Sequence, residues 1–316
     1  MLSTQAKEWS QEKETPMHVL RENVRTFRIS AWLGWQIESN WADPLVFFIF
    51  AVLRPMATAL ILLVMYNVIA GGKRDQFFDY LFVSNAFFVL VLQVLVGMSW
   101  TIIDDRENYK MLKYVYTSPA RKISYLAGRA LAKALVGMFT TLMLLTTGSL
   151  FLGVHIDLGT VQWGWLVTYF VLGMTCLGGL GMILAGLSLV MARHGEFIGE
   201  VVGGMLLLFS GAYFPPDILP PFIKQISMFV PITYWLEGMR RALEGGILTA
   251  GGVVGSGAAA EGREPISPML AAFDNWQLFG ILLGCALVFS IGSYVFYVWV
   301  ENIAKERGMI DRLTGY

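Results

Sequence analysis

The chain has 316 residues, 56% of them hydrophobic and 15% charged, against about a quarter charged in soluble domains. Formal net charge is zero, which excludes the broad basic field of a nucleic-acid-binding protein. The two cysteines, Cys176 and Cys285, lie inside apolar runs; they exclude a disulfide framework and read as packing residues.

Met1 to Met17 are polar and mixed in charge, without the apolar centre of a secretory signal. Insertion is therefore expected to be directed by the spans themselves. His18 to Trp41 reads as an amphipathic helix: Leu20, Val24, Phe27 and Ala31 recur at helical spacing, with Arg21, Arg25 and Arg28 beside them. Trp32, Trp35 and Trp41 suit the headgroup level, so this helix is expected to lie flat on the membrane surface. It forms, with the tail, a segment 1–43 ahead of a membrane domain 44–316.

Six apolar runs follow that are long enough to cross about 30 Å of hydrocarbon, which takes about 20 residues. They are Val46–Ala70, Phe77–Ile103, Ile123–Leu152, Val161–Met191, Phe197–Phe214 and Trp276–Val300. Arg54 interrupts the first, followed by Pro55; the reading is a kink near the surface with the guanidinium snorkelling to water. The alternative is a charge on a polar path, for which no deep acidic partner is evident.

Between the second and third spans, Asp104–Tyr116 (DDRENYKMLKYVY) starts with acids and ends with bases, as the helix dipole prefers. Tyr109, Leu112, Val115 and Tyr116 share a face, and Thr117-Ser118-Pro119 ends the helix. Such a helix, over about 104–118, suits a lipid surface or a groove on a soluble partner equally well. After the fifth span, Pro215-Pro216 and Pro220-Pro221 introduce two short helices, Ile218–Met228 and Ile232–Glu244, neither long enough to span. They are expected as re-entrant or outer helices in a region of about 215–275. Glu237 with Arg241, and Arg240 with Glu244, read as surface i,i+4 pairs worth a few tenths of a kcal/mol each. Gly245–Pro268, rich in Gly, Ala and Ser, reads as a mobile external loop.

Orientation follows from the bases. Lys7, Lys13, Arg21, Arg25 and Arg28 precede the first span; Arg106, Lys110, Lys113, Arg121 and Lys122 follow the second; Arg193 follows the fourth; Lys305, Arg307 and Arg312 follow the sixth. With six spans all four segments share one side, so both termini are expected in the cytoplasm. The sequence has no G-x-x-x-x-G-K-[ST] loop, no HExxH, CxxC or GxSxG, and no acid pair deep in a span. His18, His155 and His194 are scattered. No metal or cofactor is expected on this chain, which must draw its energy from elsewhere.

From about Arg28 to Glu301 the order of these elements resembles the ABC type-2 export permease family. Three stretches carry the resemblance: Asp104-Asp105-Arg106-Glu107 through Tyr116-Thr117-Ser118-Pro119 to Tyr125-Leu126-Ala127-Gly128-Arg129; Ser210-Gly211-Ala212-Tyr213-Phe214-Pro215 with Leu219-Pro220; and Pro231-Ile232-Thr233-Tyr234-Trp235 with Met239-Arg240-Arg241. The resemblance implies an all-α integral membrane fold of six transmembrane helices, an N-terminal interfacial helix, and re-entrant helices before the last span. It implies a dimer, a cytosolic ABC ATPase subunit that holds ATP and magnesium, and export of a drug, lipid or lipid-linked glycan across a cell inner membrane. By this mapping Asp105, Arg106, Glu107, Lys110 and Lys113 face the ATPase, and Phe87, Phe88, Gln93, Leu208, Phe209, Ser210 and Phe214 line the path. Gly178-Gly179 and Gly203-Gly204 would allow close helix approach. The Gly-rich segment is longer than the family pattern. A membrane scaffold that transports nothing, and an ion-coupled carrier, are the competing readings.

Overall fold

The structure, a computed structural model, describes residues 16–40, 43, 46, 49, 53–69, 76–118, 121–151, 153–154, 158–191, 195–243 and 267–309. The expectations for Lys7, Lys13, Trp41, Arg193, Glu244, Arg312, His155, His194 and the Gly-rich stretch 245–266 fall outside these residues. The described residues form helices and turns and no strand.

In chain order the helices are α1 (Pro16–Asn40), α2 (Arg54–Ile69), α3 (Gln76–Ile103), α4 (Leu112–Thr117), α5 (Lys122–Phe151), α6 (Trp163–Val190), α7 (Gly195–Phe209), α8 (Pro221–Phe229), α9 (Pro231–Leu243), α10 (Pro268–Ala271) and α11 (Asn275–Glu306). A π-helical turn, Asp104–Asn108, extends α3, and a 3-10 turn, Pro216–Ile218, precedes α8. Among the described residues four helical stretches are long and apolar enough to cross a membrane: Phe77–Asn108, Lys122–Phe151, Trp163–Val190 and Asn275–Glu306. α2 and α7 are apolar but shorter, at 16 and 15 residues.

Local chemistry explains the boundaries. Pro216, Pro221, Pro231 and Pro268 each stand at the start of a helical turn, where the missing N–H costs nothing and the fixed φ is already helical. α7 ends at Phe209, five residues short of the expected edge at Phe214, because the chain turns at Gly211 with φ +76°, a conformation glycine adopts freely. α11 starts with a capping box between Asp274 and Gln277, which satisfies backbone N–H groups the helix cannot. Arg54 stands exposed at the first position of α2, directly after Leu53, which is π-helical.

The core is built around α3. Tyr80, Val83, Val91, Leu95 and Met98 on it are fully buried, and it packs against α5, α6, α7, α9 and α2. α6 and α11 pair along their length, as do α1 and α5. Glycine makes two of these approaches possible. A Cβ on Gly179 would sit 2.8 Å from the Phe289 carbonyl oxygen of α11, and one on Gly128 would sit 2.5 Å from the Phe27 carbonyl oxygen of α1. Small residues at helix crossings let backbones meet where no hydrophobic drive exists between helices in lipid.

α1 presents its polar-and-small face inward. Ser30 and Gly34 are buried against α5, while Leu20, Val24, Trp32, Trp35, Arg21, Arg25 and Arg28 are exposed. Phe27 and Ala31, grouped with Leu20 and Val24 by spacing, are half-buried. The exposed face thus mixes aromatic, aliphatic and basic groups, the composition of a helix in the headgroup layer.

Candidate functional site

Two buried charged clusters stand out. The first gathers α1, α3, α5 and α6 at the end of the bundle where α3 gives way to the π-helical turn. Asp105 is 0% exposed. Its Oδ1 faces Arg129 Nη2 of α5 at 3.3 Å, and its Oδ2 accepts a 2.6 Å hydrogen bond from the Tyr125 hydroxyl. Arg106 is also buried: its guanidinium donates to the Leu189 and Ser188 carbonyls, each at 3.4 Å. Those carbonyls end α6, where the helix dipole is negative and partners are lacking. Lys133, one turn beyond Arg129, lays its stem over Gly97 of α3 and pairs with Glu38 of α1.

The segment after α3 is not one helix. Tyr109 N–H and Met111 N–H donate back to Asp104 and Asp105 carbonyls, each at 2.8 Å, and Lys110 turns the chain with φ +53°. A lysine there is strained, and π-turns of this kind recur at functional sites. α4 then restarts at Leu112, which is buried, and is tied to α11 by the 2.7 Å hydrogen bond between the Tyr116 and Tyr297 hydroxyls.

This corrects the surface expected over 104–118. Asp105 and Arg106 do not face outward; they are internal struts, because each satisfies groups on neighbouring helices. Glu107 is half-buried and pairs with Arg106 at 3.6 Å. Lys110 and Lys113 are exposed, together with Tyr109 and Tyr114. The exposed residues of 104–118 are therefore Asn108, Tyr109, Lys110, Lys113, Tyr114 and Thr117, with Lys113 5.2 Å from the centre of the Tyr114 ring. Glu38, Arg129 and Lys133 were missed by reasoning from the chain. Their signal was available: Tyr125, Arg129 and Lys133 form a four-residue-spaced polar stripe on an otherwise apolar helix.

The second cluster lies on α9, every residue of which is buried. Glu237 accepts from Arg240 Nη2 at 2.8 Å and Arg241 Nε at 2.9 Å. Burial pushes the Glu237 carboxyl up, but the two guanidiniums outweigh it and hold it below its ordinary range. Arg240 stacks 4.1 Å from the centre of the Tyr80 ring and donates to Ser84 Oγ at 2.7 Å; Arg241 donates to the Phe273 and Leu270 carbonyls. The expectation of weak surface pairs is overturned for Glu237, since a desolvated triad follows the arithmetic of buried charge. Beside it, Asp217 binds Lys224, the Ser267 hydroxyl and Met269 N–H. These bonds outweigh burial and hold the Asp217 carboxyl below its ordinary value.

The expected path residues do not share a surface. Phe87 and Phe88 are buried in the chain's own packing, with Phe87 edge-on to Trp235 at 6.1 Å. Gln93 is half-buried against Gly137 of α5. Ser210 is buried, Phe209 is half-buried, and Leu208 and Phe214 are exposed. Of the seven, Leu208 and Phe214 are the exposed ones.

The family model of the ABC-2 type transporter matches residues 27–243, from α1 through both clusters to the end of α9. The chain belongs to the ABC-2 type transporter family. The chain is similar to the uncharacterized protein YhgE of Bacillus subtilis (strain 168), 24% identical over 176 residues, 55% of this chain. The chain spans 19% of the length of that protein. Family membership and the four long apolar helices make this ABC-2 chain a multi-pass membrane protein of permease type. Among the described residues no group of three metal-ligating side chains occurs.

Proposed function

We propose that the chain is the membrane-spanning half of an ATP-driven exporter. A separate cytosolic ABC ATPase supplies hydrolysis of magnesium-bound ATP, and a second permease, identical in the simplest case, completes the path. The cargo class is a drug, a lipid or a lipid-linked glycan. In this reading α2, α3, α5, α6, α7 and α11 make six crossings of an inner or plasma membrane, which puts both termini on one side, and the bases flanking the spans make that side the cytoplasm.

The observation that carries this reading is the first cluster. The segment that carries the exposed Lys110 and Lys113 is attached through Asp105–Arg129 and Arg106 to α5 and the end of α6, and α1 is joined to α5 through Lys133–Glu38. A force applied by a soluble subunit at that segment would be passed to three membrane helices through ionic and hydrogen-bonded contacts, without a soft loop between. Packed, bistable contacts of this kind are what amplify small displacements.

The test is mass spectrometry of the gently solubilised complex, purified from its host through a C-terminal tag. A soluble subunit carrying a P-loop at one-to-one stoichiometry supports the reading. Its absence from a complex first secured by crosslinking would replace it with a non-transporting membrane scaffold.

A further inference from the structure

A groove of about 630 Å³ runs along the bundle between α5 and α6, with α11 beside it and Val94 of α3 in its floor. None of its lining residues comes from α2 or α7, so it lies apart from the exposed Leu208 and Phe214. It extends from Phe27 and Ile123, at the end that carries α1, to Met138 and Phe170.

Its chemistry is that of hydrocarbon. No lining side chain is ionisable as an acid or base apart from the phenol of Tyr294. Two hydroxyls in the wall are already engaged: Thr175 donates to the Val171 carbonyl at 2.8 Å, and Ser293 donates to the Ser290 carbonyl at 3.0 Å. A polar ligand would find few partners, whereas an acyl chain needs none. The two adjacent glycines of α6 show that the space is real. A Cβ on Gly179 would meet α11, but a Cβ on Gly178 would meet nothing within 4 Å.

One end is basic. Phe27 is followed by Arg28, and Ile123 is preceded by Arg121 and Lys122; Arg28 and Arg121 are exposed and Lys122 is half-buried. Bases one or two residues along the chain from Phe27 and Ile123, at the end of an apolar groove, match a molecule with an anionic head and a long apolar tail.

We propose that this groove holds one acyl chain of an anionic phospholipid whose phosphate is bound by Arg28, Arg121 and Lys122. The site needs only that the chain be in a bilayer, so it stands or falls separately from the transport reading. The lipid would brace α5 against α6 where their own side chains leave a gap.

The experiment is native mass spectrometry of the full chain in detergent with phosphatidylglycerol or phosphatidylcholine of identical acyl chains. Wild type is expected to retain one phosphatidylglycerol per chain in preference to phosphatidylcholine. Gly178→Leu, whose side chain enters open space, is expected to abolish that retention with an unchanged size-exclusion profile. Arg121→Gln, at an exposed position, is expected to weaken it about fivefold, the worth of one base near an anionic headgroup. Equal retention of the two lipids, or retention unaltered by Gly178→Leu, overturns the proposal. So does a disulfide between two chains carrying Gly178→Cys, which would show a second copy covering the groove.

Discussion

Asp105 and Arg106 are neighbours in the chain, yet each is committed to a different helix, and both are shut away from water. Lys110 and Lys113, a few residues on, are exposed, and Lys113 lies over the Tyr114 ring. The two kinds of residue should therefore respond differently to substitution. Lys110→Glu with Lys113→Glu is expected to leave the unfolding temperature in detergent nearly unchanged, since exposed positions usually fall within about 0.5 kcal/mol. The same pair should lose ATPase stimulation and transport if the segment faces a soluble subunit; vesicle uptake measured with the partner present checks it. Glu237→Gln is the opposite case. It leaves Arg240 and Arg241 buried without their countercharge, at a cost of about 3–5 kcal/mol, read as a loss of folded protein in thermal size-exclusion. Asp217 supplies the pH dependence. Its folded carboxyl is more acidic than the unfolded one, so its stabilisation is complete above the ordinary carboxylate range and is lost as pH falls through the depressed folded value. Unfolding temperature followed from pH 7 downward should drop below about pH 4, and Asp217→Asn should flatten that drop.

At the scale of elements, the four long apolar helices were readable because twenty apolar residues in a row have few other fates, and prolines mark the starts of the short helices. The five helices α3, α5, α6, α7 and α11 begin within two residues of the expected runs. What composition could not convey was burial of charge. α9 carries Glu237, Arg240 and Arg241 in thirteen residues, a density that reads as a surface helix until a partner for each charge is seen on α3, α10 and the turn at Gly211. The acids at 104 and 105 looked solvated for the same reason: Arg129 lies far along the chain, and periodicity within one helix says nothing about which charge on another helix will meet it. The docking of α1 was hidden for a different reason. Its two fully buried residues, Ser30 and Gly34, are small, so a search for apolar stripes does not select them. Gly128→Leu tests that docking directly. A side chain there collides with the Phe27 backbone and Ser30, neither of which can yield cheaply, so α1 should separate from α5. Hydrogen exchange over residues 16–40 is expected to rise sharply while exchange in α6 and α11 stays slow; unchanged protection of α1 would show that Lys133–Glu38 alone holds it.

At the scale of the whole molecule, α2 and α7 set a problem the single chain does not solve. At 1.5 Å per residue α7 is about 22 Å long, shorter than a hydrocarbon core of about 30 Å, and the stretch Arg54–Ile69 of α2 covers about 24 Å. They are also poorly covered: Ile61, Val64, Met65 and Val68 of α2 and Phe197, Val201, Met205 and Leu208 of α7 are exposed. Long spans can tilt to fit a bilayer, but short ones must thin it, extend at their ends or associate. Association answers both the length of α7 and the exposed faces, because a second membrane half placed against α2 and α7 would cover those faces and supply the packing that apolar helices in lipid require. The prediction is that a chain with Cys176→Ala and Cys285→Ala, carrying a single cysteine in place of Met205, forms an intermolecular disulfide in native membranes under mild oxidation. The same cysteine in place of Leu287, exposed on α11, should stay monomeric in the same membranes. Crosslinking at Leu287 but not at Met205 would put the second half against α11, and the path could then no longer run past Leu208 and Phe214.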